Sequence, residues 1–246
     1  MFRSLIQFYY NLKINKVYNS NFKVNGKTPE GVFWNSYYNQ TKRFEELFNF
    51  LFLITSNENI SVADVGCGYG AMYEFIKKKK YHHKIKYIGI DINKKFILEC
   101  KKSYKNEVNF FIGSSPKFLV DYAMMSGTYN LTKTKSTFIW EKYIFFNLEE
   151  CLKKSRKGVI FNIQNSKFTK ISNNIYYAEA EKIKSFFLSK NLEVNYFQSE
   201  NFSNDVIFYG FHKCLYVRDI FYTFLTFLFL IDNHNGDKDC IFIDKL

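Results

Sequence analysis

Residues 62–70 read Val-Ala-Asp-Val-Gly-Cys-Gly-Tyr-Gly, a short apolar run closed by glycine at alternate positions, Gly66, Gly68 and Gly70. Glycine at such a spacing lets a backbone turn sharply and approach a ligand where a Cβ would collide. The residues that follow, Ala71 to Ile76, favour a helix, so the turn aims free N–H groups at an anionic ligand group. A second apolar strand, Lys86 to Ile90, ends at Asp91, 21 residues beyond Gly70. Strand, glycine turn, helix, strand and acid make the nucleotide-binding half of a doubly wound α/β domain.

The spacing narrows the ligand. A dinucleotide fingerprint places its third glycine three residues after the second, for helix–strand packing. Here it comes two residues after, with Asp64 two residues ahead of the motif. No Gly-Lys-Ser/Thr closes the turn, which excludes a P-loop. A glycine-rich turn without a ligand, or an NAD site with a variant loop, are the competing readings of the motif alone.

The rest of the chain supplies a second line of argument. Leu5, Phe8, Tyr9 and Leu12 sit at helical spacing, followed by a turn at Asn25–Pro29. A firmer helix is predicted over Tyr37 to Ile54, with Phe44, Leu47, Phe48, Leu51 and Phe52 on one face. Beyond Asp91 come a helix carrying Phe96, Ile97 and Cys100, a strand Val108 to Ile112, and a short helix expected from Ser115-Pro116. Tyr122 to Ser126 reads as a buried strand. Trp140, Tyr143, Ile144, Leu148, Cys151 and Leu152 mark a helix expected to stop at Lys157-Gly158. Val159 to Ile163 is the fifth strand and Tyr177 to Leu188 the next helix. Val194 to Ser199 and Asp205 to His212 are strands separated by about five residues, too few for a parallel crossover of a dozen or more, so they pair antiparallel. The expected fold is α/β: a doubly wound, mostly parallel seven-stranded sheet with a C-terminal antiparallel hairpin and helices on both faces.

Asp64-Val-Gly-Cys-Gly-Tyr-Gly70 resembles the first motif of class I S-adenosylmethionine-dependent methyltransferases, whose sheets end in such a hairpin. The chain is also similar to a group of bacterial members of unknown substrate, through Gly31-Val-Phe-Trp34-Asn-Ser36, Gln40-x-x-Arg43-Phe44, Ser126-Gly-Thr-Tyr-Asn130, Trp140 and Ser155-Arg-Lys-Gly158. The resemblance implies S-adenosylmethionine as cofactor. Gly66, Cys67, Gly68 and Gly70 would then form its loop, and Asp64 would orient that loop and face the amino group. Asp91 would hold both ribose hydroxyls, with Ile92 beside it, and Ser114 or Ser115 would face adenine. Relatives usually carry an acid where this chain has Ser114, so a hydroxyl replaces a charge-assisted acceptor. Arg43 is a candidate for the cofactor carboxylate, with a structural role as the alternative. Asn130, beyond the fourth strand, is the substrate-side candidate, its alternative being a turn cap. Trp34 and Tyr38 are candidates for the acceptor wall or for core. No catalytic base is nominated.

Composition bears on the acceptor. The formal charge is +12, yet Lys, Asn, Ile, Phe and Tyr are enriched throughout, and the one dense run, Lys77–Lys80, falls where cations suit a helix C-terminus. A small-molecule or saccharide acceptor is therefore favoured over nucleic acid or protein; no Asn/Asp-Pro-Pro-Tyr motif or RNA-binding module is present. A cofactor-binding protein without turnover is the third class. Five cysteines, 67, 100, 151, 214 and 240, form no C-x-x-C pair, and the four histidines complete no zinc pattern, so reduced thiols in a cytoplasmic protein are expected and no metal. Residues 1–15 do not read as a signal peptide. The expected organisation is a methyltransferase domain over 1–213, with an N-terminal helical extension over 1–60 and a Rossmann-like core over 61–213, then a tail over 214–246. Within the tail, Ile220 to Ile231 is a twelve-residue apolar run, short of the roughly 20 residues a membrane span needs. It is expected to pack on the domain or on a second copy, with a peripheral membrane contact as the alternative.

Overall fold

The computed structural model describes residues 2–55 and 59–212; the tail beyond lies outside the described residues. The chain opens with α1 (Phe2–Asn25) and α2 (Tyr37–Ile54), then β1 (Ile60–Val65), α3 (Ala71–Lys78), β2 (Ile85–Asp91), α4 (Lys94–Tyr104) and β3 (Asn109–Ile112). It continues with β4 (Val120–Ser126), α5 (Thr137–Leu152), β5 (Ser155–Gln164), a small hairpin of β6 (Lys170–Ser172) and β7 (Ile175–Tyr177), α6 (Ala180–Ser189), β8 (Leu192–Gln198) and β9 (Asp205–His212).

The seven-stranded sheet runs β3-β2-β1-β4-β5-β9-β8. Strands β1 to β5 pair in parallel, and β9 pairs antiparallel with both β5 and β8. Alternation along the strands divides the core into two layers. Ala63, Val65, Ile88, Ile90, Ala123 and Met125 face the layer of Trp140, Tyr143 and Phe187, which α5 and α6 supply. Val62, Tyr87, Tyr122 and Met124 face Phe44, Leu47, Phe48 and Ile76, from α2 and α3. The strand order reverses between β1 and β4, and the crevice at the carboxyl ends of those strands is where ligands gather in open α/β sheets.

Three expectations need correction. No helix follows Ser115-Pro116: only three residues separate Pro116 from β4, less than one turn, and the chain crosses in bends with Phe118 edge-on to Phe111 at 5.4 Å. The helix α5 stops at Leu152 rather than at Lys157-Gly158. The Ser155 hydroxyl donates to the Cys151 carbonyl at 2.8 Å, and Gly158 sits inside β5, where a Cβ would lie 2.4 Å from the Gly210 carbonyl oxygen of β9. Tyr177 belongs to β7, not to a helix. Asn173 and Asn174, both at positive φ (50° and 62°), form the two-residue turn that joins β6 to β7. The helical spacing of Leu5, Phe8, Tyr9 and Leu12 is met in α1, where the quartet forms the outward face, each residue about half exposed or more (49–64%).

Candidate active site

The glycine turn is held by the strand beside it. The N–H groups of Gly66 and Cys67 both donate to the Ile90 carbonyl, at 2.7 and 3.0 Å, and the Gly70 N–H returns to the Cys67 carbonyl at 2.9 Å. Gly66, Gly68 and Gly70 all have positive φ, 87°, 53° and 87°. Their surroundings differ. A Cβ on Gly66 would lie 2.7 Å from the Thr128 side chain and one on Gly70 2.7 Å from the Tyr104 ring, whereas at Gly68 the nearest atom is Val32 Cγ1 at 3.3 Å. Protein packing alone demands glycine at the outer two positions; the middle one faces the cavity.

Asp91 closes this turn. Its Oδ2 accepts the Gly68 N–H at 2.9 Å and its Oδ1 the Asn93 N–H at 2.7 Å. Burial pushes its carboxyl up to about 6, with those two backbone bonds pulling the other way. Asp64 is pushed up to about 7 by burial, opposed by the Tyr87 hydroxyl that donates to it at 2.7 Å and reinforced by the nearby Asp91. The loop is thus oriented by Asp91 rather than by Asp64, which the Tyr87 phenol holds. Cys67 is buried beside Cys100, whose thiol donates to the Gly68 carbonyl at 3.3 Å; burial drives the Cys67 thiol well above its ordinary range, so its sulfur backs the loop as an unreactive thiol.

A cavity of about 350 Å³ opens in front of this turn. Among the sequence-predicted residues, Asp64, Gly66, Cys67, Gly68, Asp91 and Ile92 line it on one side. Ser114 lines the same end, its hydroxyl accepting the Gln7 amide of α1 at 2.8 Å. Trp34, Arg43 and Asn130 line the other end. Gly70, Ser115 and Tyr38 do not line it; Tyr38 is exposed on α2. Arg43 pairs through Nε with buried Asp205, and its guanidinium lies 3.6 Å from the Phe202 ring centroid and 4.9 Å from that of Trp34. Asn130 accepts the Gln164 N–H on its Oδ1 at 3.0 Å, which leaves its amide NH₂ as the group to offer a ligand.

Several cavity residues were not among the site residues expected from the sequence. Asn15 and Tyr18 of α1, Tyr143 and Asn147 of α5, Gln164 and Tyr177 all line it. The one signal for the first group was an amide at every fourth residue of α1. Three buried polar atoms without a protein partner, Asn15 Oδ1, Ser126 Oγ and Tyr129 OH, belong to residues that line the cavity. Among the described residues no cluster of His, Cys, Asp and Glu suits a metal, and no helix is long and apolar enough to cross a membrane.

The fold recurs in solved structures. A SAM-dependent methyltransferase from Leishmania major superposes with a TM-score of 0.60 at 14% identity, covering 80% of this chain and 82% of that one. This is the class I methyltransferase fold. SAM-bound CalS10 of Micromonospora echinaspora, described as an amino pentose methyltransferase, superposes with a TM-score of 0.51 at 10% identity over 79% of this chain and 96% of its own. In sequence the chain is 25% identical over 131 residues to the Mycobacterium tuberculosis protein named "Putative methyltransferase Rv1506c", covering 52% of this chain and 78% of the relative. No protein-family model matches the chain.

Proposed function

We propose that the protein is an S-adenosylmethionine-dependent methyltransferase with a small polar acceptor, a saccharide or similar metabolite. The observation that carries this reading is one cavity that runs across the carboxyl ends of the parallel strands, with two carboxyl groups at one end of it. One end is the glycine turn with Asp64, Asp91, Ile92 and Ser114. The other is walled by aromatic rings and amides, among them Trp34, Asn35, Asn39, Asn130, Gln164 and Tyr177.

The first end fits the cofactor. The open face at Gly68 admits close backbone approach, two carboxyl groups suit a ligand that carries positive charge, and the unpartnered buried acceptor on Asn15 awaits a donor. When bound, the cofactor supplies an activated methyl group on sulfur, and the protein's task is to hold and orient the two reactants and exclude water. Asp91 and the Gly68 N–H are locked together before any ligand arrives, so the turn is preorganised. At the other end, Asn130 is fixed by Gln164, and Arg43 by Asp205, so neither needs to reorder. Flat rings beside amide groups match the apolar faces and hydroxyl edges of a sugar. CalS10, described as an amino pentose methyltransferase, shares the fold and supports this choice of class.

The basic run gives no support to a nucleic-acid acceptor. Lys77 pairs with Glu107 at 2.8 Å and Lys79 with Glu45 at 2.9 Å, at the end of α3 away from the glycine turn. Isothermal titration with S-adenosylmethionine, S-adenosylhomocysteine and NAD tests the cofactor reading. Binding of the first two without NAD is expected; micromolar NAD with no heat from either sulfur ligand would overturn it. Methyl transfer from labelled cofactor to a panel of amino and neutral sugars then tests the acceptor, and transfer to RNA alone would overturn that part.

A further inference from the structure

We infer that α1 forms one wall of the nucleoside end of the cavity and that Asn15 accepts a hydrogen bond from a ribose hydroxyl of the adenosyl ligand. The inference rests on the cofactor reading above. Gln7, Asn11, Asn15 and Asn19 recur every four residues and so share one face of α1. Three of them are matched by the domain. Gln7 donates to Ser114 Oγ and to Asn147 Oδ1, both at 2.8 Å. Asn11 Oδ1 accepts from the Tyr143 hydroxyl at 2.8 Å, and Asn19 Oδ1 from Asn93 Nδ2 at 3.1 Å.

Asn15 differs. Its Nδ2 donates to the Ile92 carbonyl at 3.1 Å, which fixes the orientation of the amide, and its Oδ1 is buried with no partner. Of the four amides it is also the one that lines the cavity. What is missing is therefore a donor, brought by something in that cavity. An adenosyl ligand offers the ribose hydroxyls and the adenine amino group. Gln7 marks the Ser114 end, and Asn15 lies two helical turns away, about 12 Å along the axis, beside Asp91 and Ile92. That places Asn15 at the ribose. Each oxygen of Asp91 already accepts one backbone N–H, so a second acceptor completes the pairing of two hydroxyls.

The test is isothermal titration of wild type, Asn15→Ala and Asn15→Ser with S-adenosylhomocysteine and with its 2′-deoxy and 3′-deoxy forms. Unfolding is followed for each protein, with Asn11→Ala as the control for docking of α1. Both Asn15 variants should weaken S-adenosylhomocysteine about tenfold. With one of the two deoxy forms, variant and wild type should bind alike, because the hydroxyl that Asn15 receives is already gone. Asn11→Ala should lower stability with no dependence on which ligand is used. Equal losses for all three ligands, or unchanged affinity for S-adenosylhomocysteine, would overturn the role of Asn15. If wild type itself failed to bind S-adenosylhomocysteine, the cofactor reading would fall first and take this inference with it.

Discussion

Arg43 of α2 and Asp205 at the start of β9 are 162 residues apart in sequence and meet in a buried ion pair where Arg43 lines the cavity. Asp205 is 1% exposed and also accepts from Asn162 Nδ2, at 3.0 Å, and from the Gln164 amide. Asn162 in turn accepts the Gly127 N–H at 2.9 Å, which ties the loop after β4 to the same network. One carboxylate thus organises α2, β5 and the loop that carries Asn130.

Removing that carboxylate leaves a guanidinium buried between rings without its counter-charge. Asp205→Ala should lower stability by about 3–5 kcal/mol, the usual result of orphaning one member of a buried pair. Replacing both partners, as in Arg43→Met with Asp205→Ala, should recover part of the loss, because no lone charge then remains. Urea denaturation of the two variants checks this. A single variant within 1 kcal/mol of wild type would show that the pair organises nothing.

The glycine turn yields a prediction that separates folding from binding. At Gly70 an alanine meets both a left-handed backbone and the Tyr104 ring, so Gly70→Ala should cost about 2–4 kcal/mol. Trimming the obstacle with Tyr104→Leu should restore some of it. At Gly68 the backbone strain is similar but no ring stands in the way, so Gly68→Ala should fold with a loss of about 1–2 kcal/mol. Its added methyl projects toward the cavity, and cofactor affinity should drop about tenfold or more. Thermal unfolding and titration, run side by side, distinguish the two positions; equal effects on binding and folding at both would refute the distinction.

What the sequence revealed follows from the range of each signal. The helix over Tyr37–Ile54 and the terminal hairpin were legible because apolar period and loop length are local properties. The Gly66–Gly70 turn was legible because φ and residue type are tightly linked there. By contrast, the helical spacing of Leu5, Phe8, Tyr9 and Leu12 marked α1 as a helix but not which of its faces is buried. Its regular apolar quartet points outward, and its buried face is Tyr10, Ile14 and a stripe of amides that find partners on α5 and at the ends of β2 and β3. No periodicity rule anticipates a polar face buried by hydrogen bonding. Arg43 likewise offered two roles in sequence, and only folding could bring Asp205 beside it.

Ser114 tests whether a hydroxyl can stand in for the acid that the resemblance to methyltransferases leads one to expect there. Gln7 Nε2 bridges Ser114 Oγ and Asn147 Oδ1, so a carboxylate at 114 would still find a donor facing it. Ser114→Asp should therefore fold and bind the cofactor as well as wild type or better, since a charge-assisted acceptor replaces a neutral one. Titration with S-adenosylhomocysteine reads the outcome. Loss of binding in a folded variant would remove adenine from this loop.

Asp64 and Asp91 predict pH effects of opposite sign on folding and on binding. Their carboxyls stand at about 7 and about 6 in the folded protein, against an ordinary value of 3.8. The folded state therefore holds protons that the unfolded chain releases. Their contribution to stability is fully present below pH 3.8 and is lost as pH rises through about 6 and then about 7. A ligand with positive charge favours the ionised carboxylates instead. S-adenosylmethionine should bind more tightly as pH rises through that window, by at most about tenfold per pH unit for each carboxyl, and should expel protons as it binds. Titration in two buffers of different ionisation enthalpy, from about pH 5.5 to about pH 8, measures both quantities. Asp64→Asn is the informative control. Its amide oxygen can still accept the Tyr87 hydroxyl, so the fold is kept while the upper part of the pH dependence disappears. Affinity that is flat with pH and free of proton exchange would mean that neither carboxyl changes its charge when the ligand enters.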